Sequence, residues 1–175
     1  MPDKKVLFVC TGNMFRSVSA HYCLANYAAQ QSVSGVVVSS AGTHGEKGGR
    51  TLQELVEAAA RNPAFSGFWS MTSILDELTK QGVDARSHVP RLLTPEILES
   101  QDVVIAMALS HRTFIEQNYG LVVPLFYELA YGLSKSVDDL DIIPNYRTNH
   151  AEVDAFARKT VRYIHQASKE VLKRI

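Results

Sequence analysis

The sequence predicts one α/β domain over residues 1–175, built as three layers with helices on both faces of a central four-stranded parallel sheet. Short, continuously apolar runs are typical of strands that are buried on both faces of such a sheet. These runs alternate along the chain with segments in which apolar residues recur at helical spacing. A length of 175 residues with a 46% apolar share suits a single core, and no internal repeat or low-complexity linker divides the chain.

Four short apolar runs are predicted to be the strands of this sheet. In chain order they are 4–9 (KKVLFV), 34–42 (SGVVVSSAG), 100–108 (SQDVVIAMA) and 121–127 (LVVPLFY). The helical patterns between and after them cover 17–31, 51–61, 70–81, 94–100, 110–118 and 150–174. In parallel sheets of this kind, ligands bind at the carboxyl edge of the strands, so the functional residues are expected there.

Charge and composition exclude several classes of function. Lysine plus arginine and aspartate plus glutamate both number 18, so the formal net charge is zero and no nucleic-acid or membrane partner is expected. The chain has no apolar run of 18 residues, and its first residues enter a strand without the long apolar region of a signal peptide. We therefore expect a cytoplasmic protein, although a secreted effector exported by another route stays open. Two cysteines make no disulfide framework, and a lone cysteine in a reducing compartment is more often a catalyst.

The segment LFVCTGNMFRS (7–17) places Cys10 at the end of a strand and Arg16 six residues later, where a helix begins. Free N–H groups and the dipole at a helix N-terminus favour an anion, and Gly12 lets the loop fold tightly with its amides inward. This positive environment favours the thiolate of Cys10, and the planar guanidinium of Arg16 can bind two phosphate oxygens. The loop therefore predicts attack on phosphorus with a phosphocysteine intermediate. The predicted phosphate-binding residues are Thr11, Gly12, Asn13, Met14, Phe15, Arg16 and Ser17. The alternative, a buried core cysteine beside a surface arginine, leaves the Cys-x5-Arg-Ser spacing unexplained.

The segment VLFVCTGNMFRS (6–17) resembles the signature loop of low-molecular-weight protein tyrosine phosphatases, whose fold is shared by thioredoxin-coupled arsenate reductases. SSAGTH (39–44) and GVDARSHVPRLLTPEILESQDVVIAM (82–107) resemble two further segments of that family. The resemblance implies a phosphotyrosine protein phosphatase I-like fold, with Cys10 as the nucleophile and Arg16 binding phosphate and stabilising the transition state. It also implies a polar network that shapes the loop and helps to keep the thiolate ionised. The residues implied for this network are Asn13, Ser17, Ser40 and His88.

Several positions depart from the family pattern. Val18 stands where the family usually has a proline, so the helix begins without that rigid residue. Phe15 stands where a second cysteine often protects the nucleophile from oxidation, and Cys23 is expected to be a core residue instead. Met14 occupies the position where arginine phosphatases of this fold have a threonine that admits a guanidinium phosphate. A bulky apolar side chain there favours an aryl phosphate.

The stretch 44–70 is longer than the family requires and is predicted to be a helical insertion with an aromatic patch. The patch consists of Phe65, Phe68 and Trp69. Local packing is the favoured interpretation, while a substrate wall or a partner surface stays open.

The general acid, which protonates the leaving group, is the residue that the sequence identifies least clearly. The family supplies an Asp-Pro-Tyr element just before the last helix, and this chain has no Asp-Pro. Asn145 has the best-matched spacing, but an amide is not a useful proton donor. We therefore expect Asp139 or Asp141, in an acidic loop that also contains Asp138, to be the acid. A solvated acidic loop without a catalytic role is the alternative.

The sequence thus predicts a phosphomonoesterase, with a phosphotyrosine-containing protein or a small aryl phosphate as its substrate. No metal or organic cofactor is expected, because the loop amides and Arg16 neutralise the phosphate charge. We expect a monomer or a weak dimer. Two alternatives stay open. One is arsenate reduction, for which only Cys23 remains as a second thiol. The other is a phosphate-binding module in which Asn145 has replaced the acid.

Overall fold

The computed structural model describes residues 3–44, 49–62 and 68–175. Along the chain, the regular elements are β1 (Lys4–Cys10), α1 (Arg16–Gln30), β2 (Val36–Gly42), α2 (Leu52–Arg61), α3 (Ser70–Lys80), α4 (Pro95–Glu99), β3 (Val103–Ala106), α5 (Leu109–Tyr119), α6 (Phe126–Tyr131) and α7 (His150–Leu172). A short 3-10 helix at Leu140–Ile142 precedes α7. None of the described helices is long and apolar enough to cross a lipid bilayer.

The sheet is parallel, with β1 at its centre in the order β2-β1-β3. In the register of these strands, Val6 lies opposite Val38 on one side and Val103 on the other. Side chains alternate across a strand, so β1 serves two cores. Val6 and Phe8 pack against α1, α6 and α7, whereas Leu7 and Val9 pack against α4 and α5. The predicted α/β class with helices on both faces of a parallel sheet is therefore confirmed.

The prediction of a fourth strand over 121–127 is wrong. In the described residues it is reduced to one parallel bridge between Leu125 and Ala106, whose N–H donates to the Pro124 carbonyl at 3.0 Å. Pro124 has no N–H with which to continue a ladder. The side chain of Glu128 accepts the N–H of Leu125 at 2.9 Å, and α6 begins at the next residue. The sheet therefore has three strands in the part of the chain that the structure describes.

The described part of the 44–70 stretch adds helical packing beside the loop 10–17. Helix α2 begins with a capping box, in which Thr51 and Glu54 bond each other's backbone N–H groups. Leu52 and Leu55 are buried in a cluster that also contains residues of α1, α3 and α7. Phe68 packs against that cluster, and Trp69 stacks on His150 at 4.0 Å between ring centroids. Phe65 lies outside the described residues.

Candidate active site

The loop 10–17 connects the end of β1 to the first turn of α1 and leaves its amides free. Among the described residues, no hydrogen bond is formed by the backbone N–H groups of residues 12–17, and the first helical bond runs from Ser19 N to Phe15 O at 2.8 Å. The carbonyls of Cys10 and Thr11 instead accept the N–H groups of Thr43 and His44, both at 2.9 Å. A row of unpaired amides at a helix N-terminus is suited to binding an anion.

Gly42, the last residue of β2, lies against the backbone of this loop. A Cβ atom at this position would lie 2.5 Å from the Thr11 carbonyl oxygen and 3.0 Å from the Asn13 nitrogen. Its own N–H donates to the Arg91 carbonyl at 2.9 Å, and its carbonyl accepts Leu93 N–H at 2.7 Å. Glycine is therefore required by a close approach of two backbones, and it fixes the loop against β2.

Ser17 connects the nucleophile to a buried amide. The Cys10 Sγ atom lies 2.9 Å from Ser17 Oγ, and the Nδ2 of Asn13 donates to that same oxygen at 3.1 Å. Nδ2 also donates to Ser40 Oγ at 2.9 Å. Because Ser17 Oγ already accepts from Asn13, its hydroxyl hydrogen is available to donate to the sulfur.

Asn13 is completely buried and adopts a left-handed backbone conformation, with φ of 50°. Its Oδ1 accepts the backbone N–H of Arg91 at 3.0 Å, which fixes the orientation of the amide group. The Nε2 atom of His88 lies 3.1 Å from the same oxygen and is therefore the protonated ring nitrogen. The strained backbone is thus held by a side chain with every polar group bonded, and the structure brings together all four network residues that the resemblance implied.

The network contains the buried His88 and contacts the partly buried His21, and both histidines are in their neutral form. Burial, followed by the positive charges of His88 and Arg91, lowers the pKa of His21 to about 4. Burial likewise lowers the pKa of His88 to about 4, against the opposing effect of its bond to Asn13. His21 Nδ1 lies 3.2 Å from the Ser40 hydroxyl and extends the network by one residue.

Arg16 lies under the loop with only 5% of its surface exposed. Its Nη1 donates to the Val137 carbonyl at 3.1 Å, and its Nη2 donates to Asp139 Oδ2 at 2.5 Å and to Thr11 Oγ1 at 3.3 Å. Its Nε is buried and has no hydrogen-bond partner in the described structure. A buried guanidinium N–H without a partner costs free energy that a phosphate oxygen would recover.

The structure separates the acid candidates. Asp139 contacts Arg16 through one oxygen and accepts Leu140 N–H at 2.9 Å through the other, so both carboxylate oxygens are held at the cleft. Asp141 is exposed and does not line the cleft over Cys10; it lines an adjoining depression that also contains Asp138, Asp139 and Arg16. Asn145 is exposed in a left-handed turn, where its carbonyl accepts the N–H groups of Thr148 and Asn149. The residue with the best-matched spacing therefore forms a turn, whereas Asp139 contacts the phosphate-loop arginine.

A cleft of about 140 Å³ opens over Cys10 and Arg16. Asp139 lies on one side of it, and the remaining wall is mostly apolar. The apolar lining residues are Met14, Phe15, Phe68, Met71, Ile74 and Leu140. The Met14 side chain lies close to Gly12. A Cβ atom added to Gly12 would lie 3.2 Å from the Met14 Cε atom. Of the two described residues of the predicted aromatic patch, Phe68 reaches this cleft.

Four residues of the site were not identified from the sequence. Gly42 is the last residue of a predicted strand, and a glycine at a strand end is common and does not indicate which residues it contacts. Arg91 acts through its backbone N–H, and its guanidinium Nε donates to the Ser40 carbonyl at 2.8 Å. His21 and His111 are single histidines in helical patterns, and their partners are distant in sequence. In the described residues, no cluster of three histidine, cysteine, aspartate or glutamate side chains could hold a metal ion.

The fold and the loop define a class: an α/β protein with a cysteine and an arginine at opposite ends of a loop of unpaired amides, beside a carboxylate. Comparisons with known proteins agree. The sequence profile described as "Low molecular weight phosphotyrosine protein phosphatase" matches residues 5–66. Residues 5–66 are therefore similar to that family, and the described chain shares the fold of a solved structure from it.

Two curated relatives and one solved structure show the range of the similarity. The protein-arginine-phosphatase of Bacillus subtilis (strain 168) is 30% identical over 115 residues, which cover 66% of this chain and 63% of that protein. This chain therefore matches less than two thirds of that relative's length. The low molecular weight protein-tyrosine-phosphatase Ptp of Acinetobacter johnsonii is 24% identical over 139 residues, covering 79% of this chain and 81% of Ptp. The crystal structure of the low molecular weight protein tyrosine phosphatase from T. tengcongensis superposes with a TM-score of 0.73 at 23% identity, covering 99% and 100% of the two chains.

Proposed function

We propose that this protein is a cysteine-dependent phosphatase that hydrolyses phosphotyrosine in proteins through a phosphocysteine intermediate. The observation that carries the proposal is the cleft itself. It combines Cys10, the free amides of residues 12–17 and the unpartnered Nε of Arg16 with an apolar wall and a carboxylate at its side. The amides and the guanidinium suit a dianion, and the apolar wall suits an aromatic ring attached to it.

Each half of the reaction balances with the groups at hand. The Cys10 thiolate attacks phosphorus, the bond from phosphorus to the tyrosyl oxygen breaks, and Asp139 gives its proton to that oxygen. Water then attacks the phosphocysteine, Asp139 takes the water proton, and the sulfur–phosphorus bond breaks to release inorganic phosphate. Arg16 and the amides hold the equatorial oxygens through both steps. The phosphate competes with the Asp139 carboxylate for Nη2 of Arg16; once released, the carboxylate takes up a proton from water and can donate it to the leaving-group oxygen.

Phosphoarginine is the second candidate substrate, supported by the 30% identity to the Bacillus subtilis protein-arginine-phosphatase. The apolar wall distinguishes the two. A guanidinium leaving group is planar but strongly polar, and burying its N–H groups against Met14, Phe68 and Met71 would leave them unbonded. A tyrosyl ring gains from the same contacts.

The structure gives less support to the other two functions. Cys23 is fully buried, and burial raises the pKa of its thiol to about 12, so it is poorly placed to receive arsenic or an electron pair from Cys10. A binding module without an acid is disfavoured by Asp139, which already lies at the cleft beside Arg16.

Turnover of matched phosphopeptides tests the proposal. One peptide sequence is prepared with phosphotyrosine, phosphoarginine or phosphoserine at its centre, and kcat/KM is measured for each by phosphate release. We expect the phosphotyrosine peptide to be preferred by at least about tenfold, a difference of about 1.4 kcal/mol in transition-state binding. Cys10→Ser is the control and should abolish release while phosphate binding survives. A preference for phosphoarginine would replace the tyrosine assignment, and activity retained by Cys10→Ser would refute the mechanism.

A further inference from the structure

Beside Arg16, the loop hydroxyl of Thr11 contacts a buried histidine. His111 lies in the first turn of α5 with 2% of its surface exposed, and its Nε2 lies 2.9 Å from Thr11 Oγ1. That same oxygen lies 3.3 Å from Nη2 of Arg16. The three side chains form a line from α5 through the loop to the guanidinium that binds phosphate.

The directions of these hydrogen bonds follow from the donors available. Arg16 can only donate, so Thr11 Oγ1 accepts from it. If His111 Nε2 also donated, the Thr11 hydroxyl hydrogen would have no acceptor within the described protein, although Thr11 is exposed to solvent, and Nδ1 would be a buried acceptor without a partner. If Nε2 accepts, Thr11 donates to it, and only the N–H on Nδ1 is left without a partner. Nδ1 is indeed buried and has no hydrogen-bond partner among the described residues. The second arrangement gives more of these groups a partner within the protein and is the one we assign.

The surroundings of His111 keep it in the neutral form that this arrangement needs. Its pKa is lowered to about 3, first by burial and then by the positive charges of Arg16 and His44. A protonated His111 would present two donors and place a second cation beside Arg16. The neutral ring instead supplies an acceptor, which turns the lone pairs of Thr11 towards the guanidinium.

We propose that His111 is a positioning residue of the active site, which acts through Thr11 to hold the Arg16 guanidinium in the orientation that binds phosphate. The inference rests on the proposed phosphatase function for its consequence in catalysis, but the chain of hydrogen bonds is independent of the substrate. Arg16 is held by Val137 and Asp139 on one side. When phosphate takes the place of Asp139, Thr11 is the side chain that still bonds Nη2. His111 determines whether that hydroxyl presents a lone pair or its hydrogen.

Two pairs of matched variants test the role of the relay. His111→Phe keeps a planar ring but removes the acceptor, whereas His111→Gln keeps a polar group near the position of Nε2. Thr11→Val removes the hydroxyl, whereas Thr11→Ser keeps it. Inorganic phosphate is the probe, its Kd is measured by calorimetry, and kcat and KM are measured with para-nitrophenyl phosphate. Loss of one such bond should weaken phosphate binding by about three- to tenfold and lower kcat by a similar factor. The Gln and Ser variants should recover to within about twofold of wild type.

A positioning role also predicts coupling and a spectroscopic signature. The double variant Thr11→Val/His111→Phe should bind phosphate no more weakly than the single variant with the larger loss, because either change breaks the same chain of hydrogen bonds. In the wild-type protein, nitrogen-15 chemical shifts of His111 at pH 7 should show a protonated Nδ1 and a bare Nε2.

Several results would overturn the inference. They are a protonated Nε2, additive losses in the double variant, or unchanged phosphate binding by both His111→Phe and Thr11→Val. If His111→Phe does not fold, the Thr11 pair and the nitrogen shifts still decide the question. A wild-type protein that binds phosphate but hydrolyses no phosphopeptide would refute the proposed function while leaving the relay to be judged by Kd. A wild-type protein that binds no phosphate would refute both.

Discussion

Replacing Asp139 with asparagine separates its two roles at the cleft. The change keeps the shape of the side chain, but it removes the proton donor and the negative charge that lies 2.5 Å from Arg16 Nη2. A positioned general acid contributes about 10²–10⁴ in rate, and its contribution is largest when the leaving group is poor. We therefore expect kcat for phenyl phosphate to fall by about 100-fold or more, and kcat for para-nitrophenyl phosphate to fall by far less. Inorganic phosphate should bind more tightly, because the carboxylate no longer competes for Arg16.

The assay compares kcat for the two aryl phosphates and the Kd for phosphate across four proteins. Asp141→Asn is the matched control, because Asp141 is exposed and does not line the cleft over Cys10, although it shares the adjoining depression with Asp139 and Arg16. It should change neither substrate appreciably. Asn145→Asp should also be silent, because Asn145 serves its turn through its backbone carbonyl. Equal losses for both substrates in Asp139→Asn would refute the acid role. Silent aspartate variants together with a gain of activity in Asn145→Asp would favour the impaired binding module.

Three further predictions concern the arginine, the glycine and the histidines. Arg16→Lys should lower kcat by orders of magnitude, because lysine keeps the charge but cannot present Nε and Nη2 together; near-wild-type turnover would refute the bidentate contact. Gly42→Ala should destabilise the fold by about 1–3 kcal/mol and weaken phosphate binding, because its Cβ would lie 2.5 Å from a backbone oxygen. In contrast, Gly120→Ala, with nothing within 4 Å, should cost only its backbone strain and leave phosphate binding unchanged in calorimetry. Stability should fall as the pH falls from about 6.5 towards 4, since the depressed pKa values of His21, His88 and His111 mean that the unfolded chain binds more protons. A histidine whose pKa is lowered from 6.5 to about 4 by folding reduces the free energy of unfolding by about 2 kcal/mol at pH 5 relative to pH 8. A melting temperature that does not change over that pH range would contradict this prediction.

The regular elements could be predicted well from periodicity, and the exception has a specific cause. Helices α1, α2 and α7 lie within one or two residues of their predicted bounds, because each has an apolar stripe with a clear start. The run 121–127 is as apolar as the true strands, but it contains Pro124 and is followed by the helix cap of Glu128. Apolar content alone cannot distinguish a strand from a segment that packs on the sheet without joining its ladder.

The site was predictable where its residues are contiguous and much less so where they are not. The loop 10–17 is a single segment, so its spacing alone indicated an anion site. Asp139 was one of two sequence candidates, and its selection depended on a contact 123 residues away from Arg16 in sequence. The roles of Gly42 and His111 depend on backbone proximity and on a hydroxyl that has two partners. Neither leaves a periodic or compositional signal.

The direction of the donors explains why an anion completes this site. Asn13 donates to Ser17, which leaves the Ser17 hydroxyl hydrogen for the sulfur, and on the other side Arg16 donates to Thr11. The amides of residues 12–17 add further donors that have no acceptor in the described structure. Asp139 supplies one acceptor for this excess of hydrogen-bond donors, but it bonds only Nη2 of Arg16 and leaves Nε unpaired. A phosphate group can accept from the amides and from both nitrogens together, so it satisfies donors that the carboxylate leaves unpaired. The same exchange moves Asp139 from the arginine to the leaving group, which links substrate binding to the arrival of the acid.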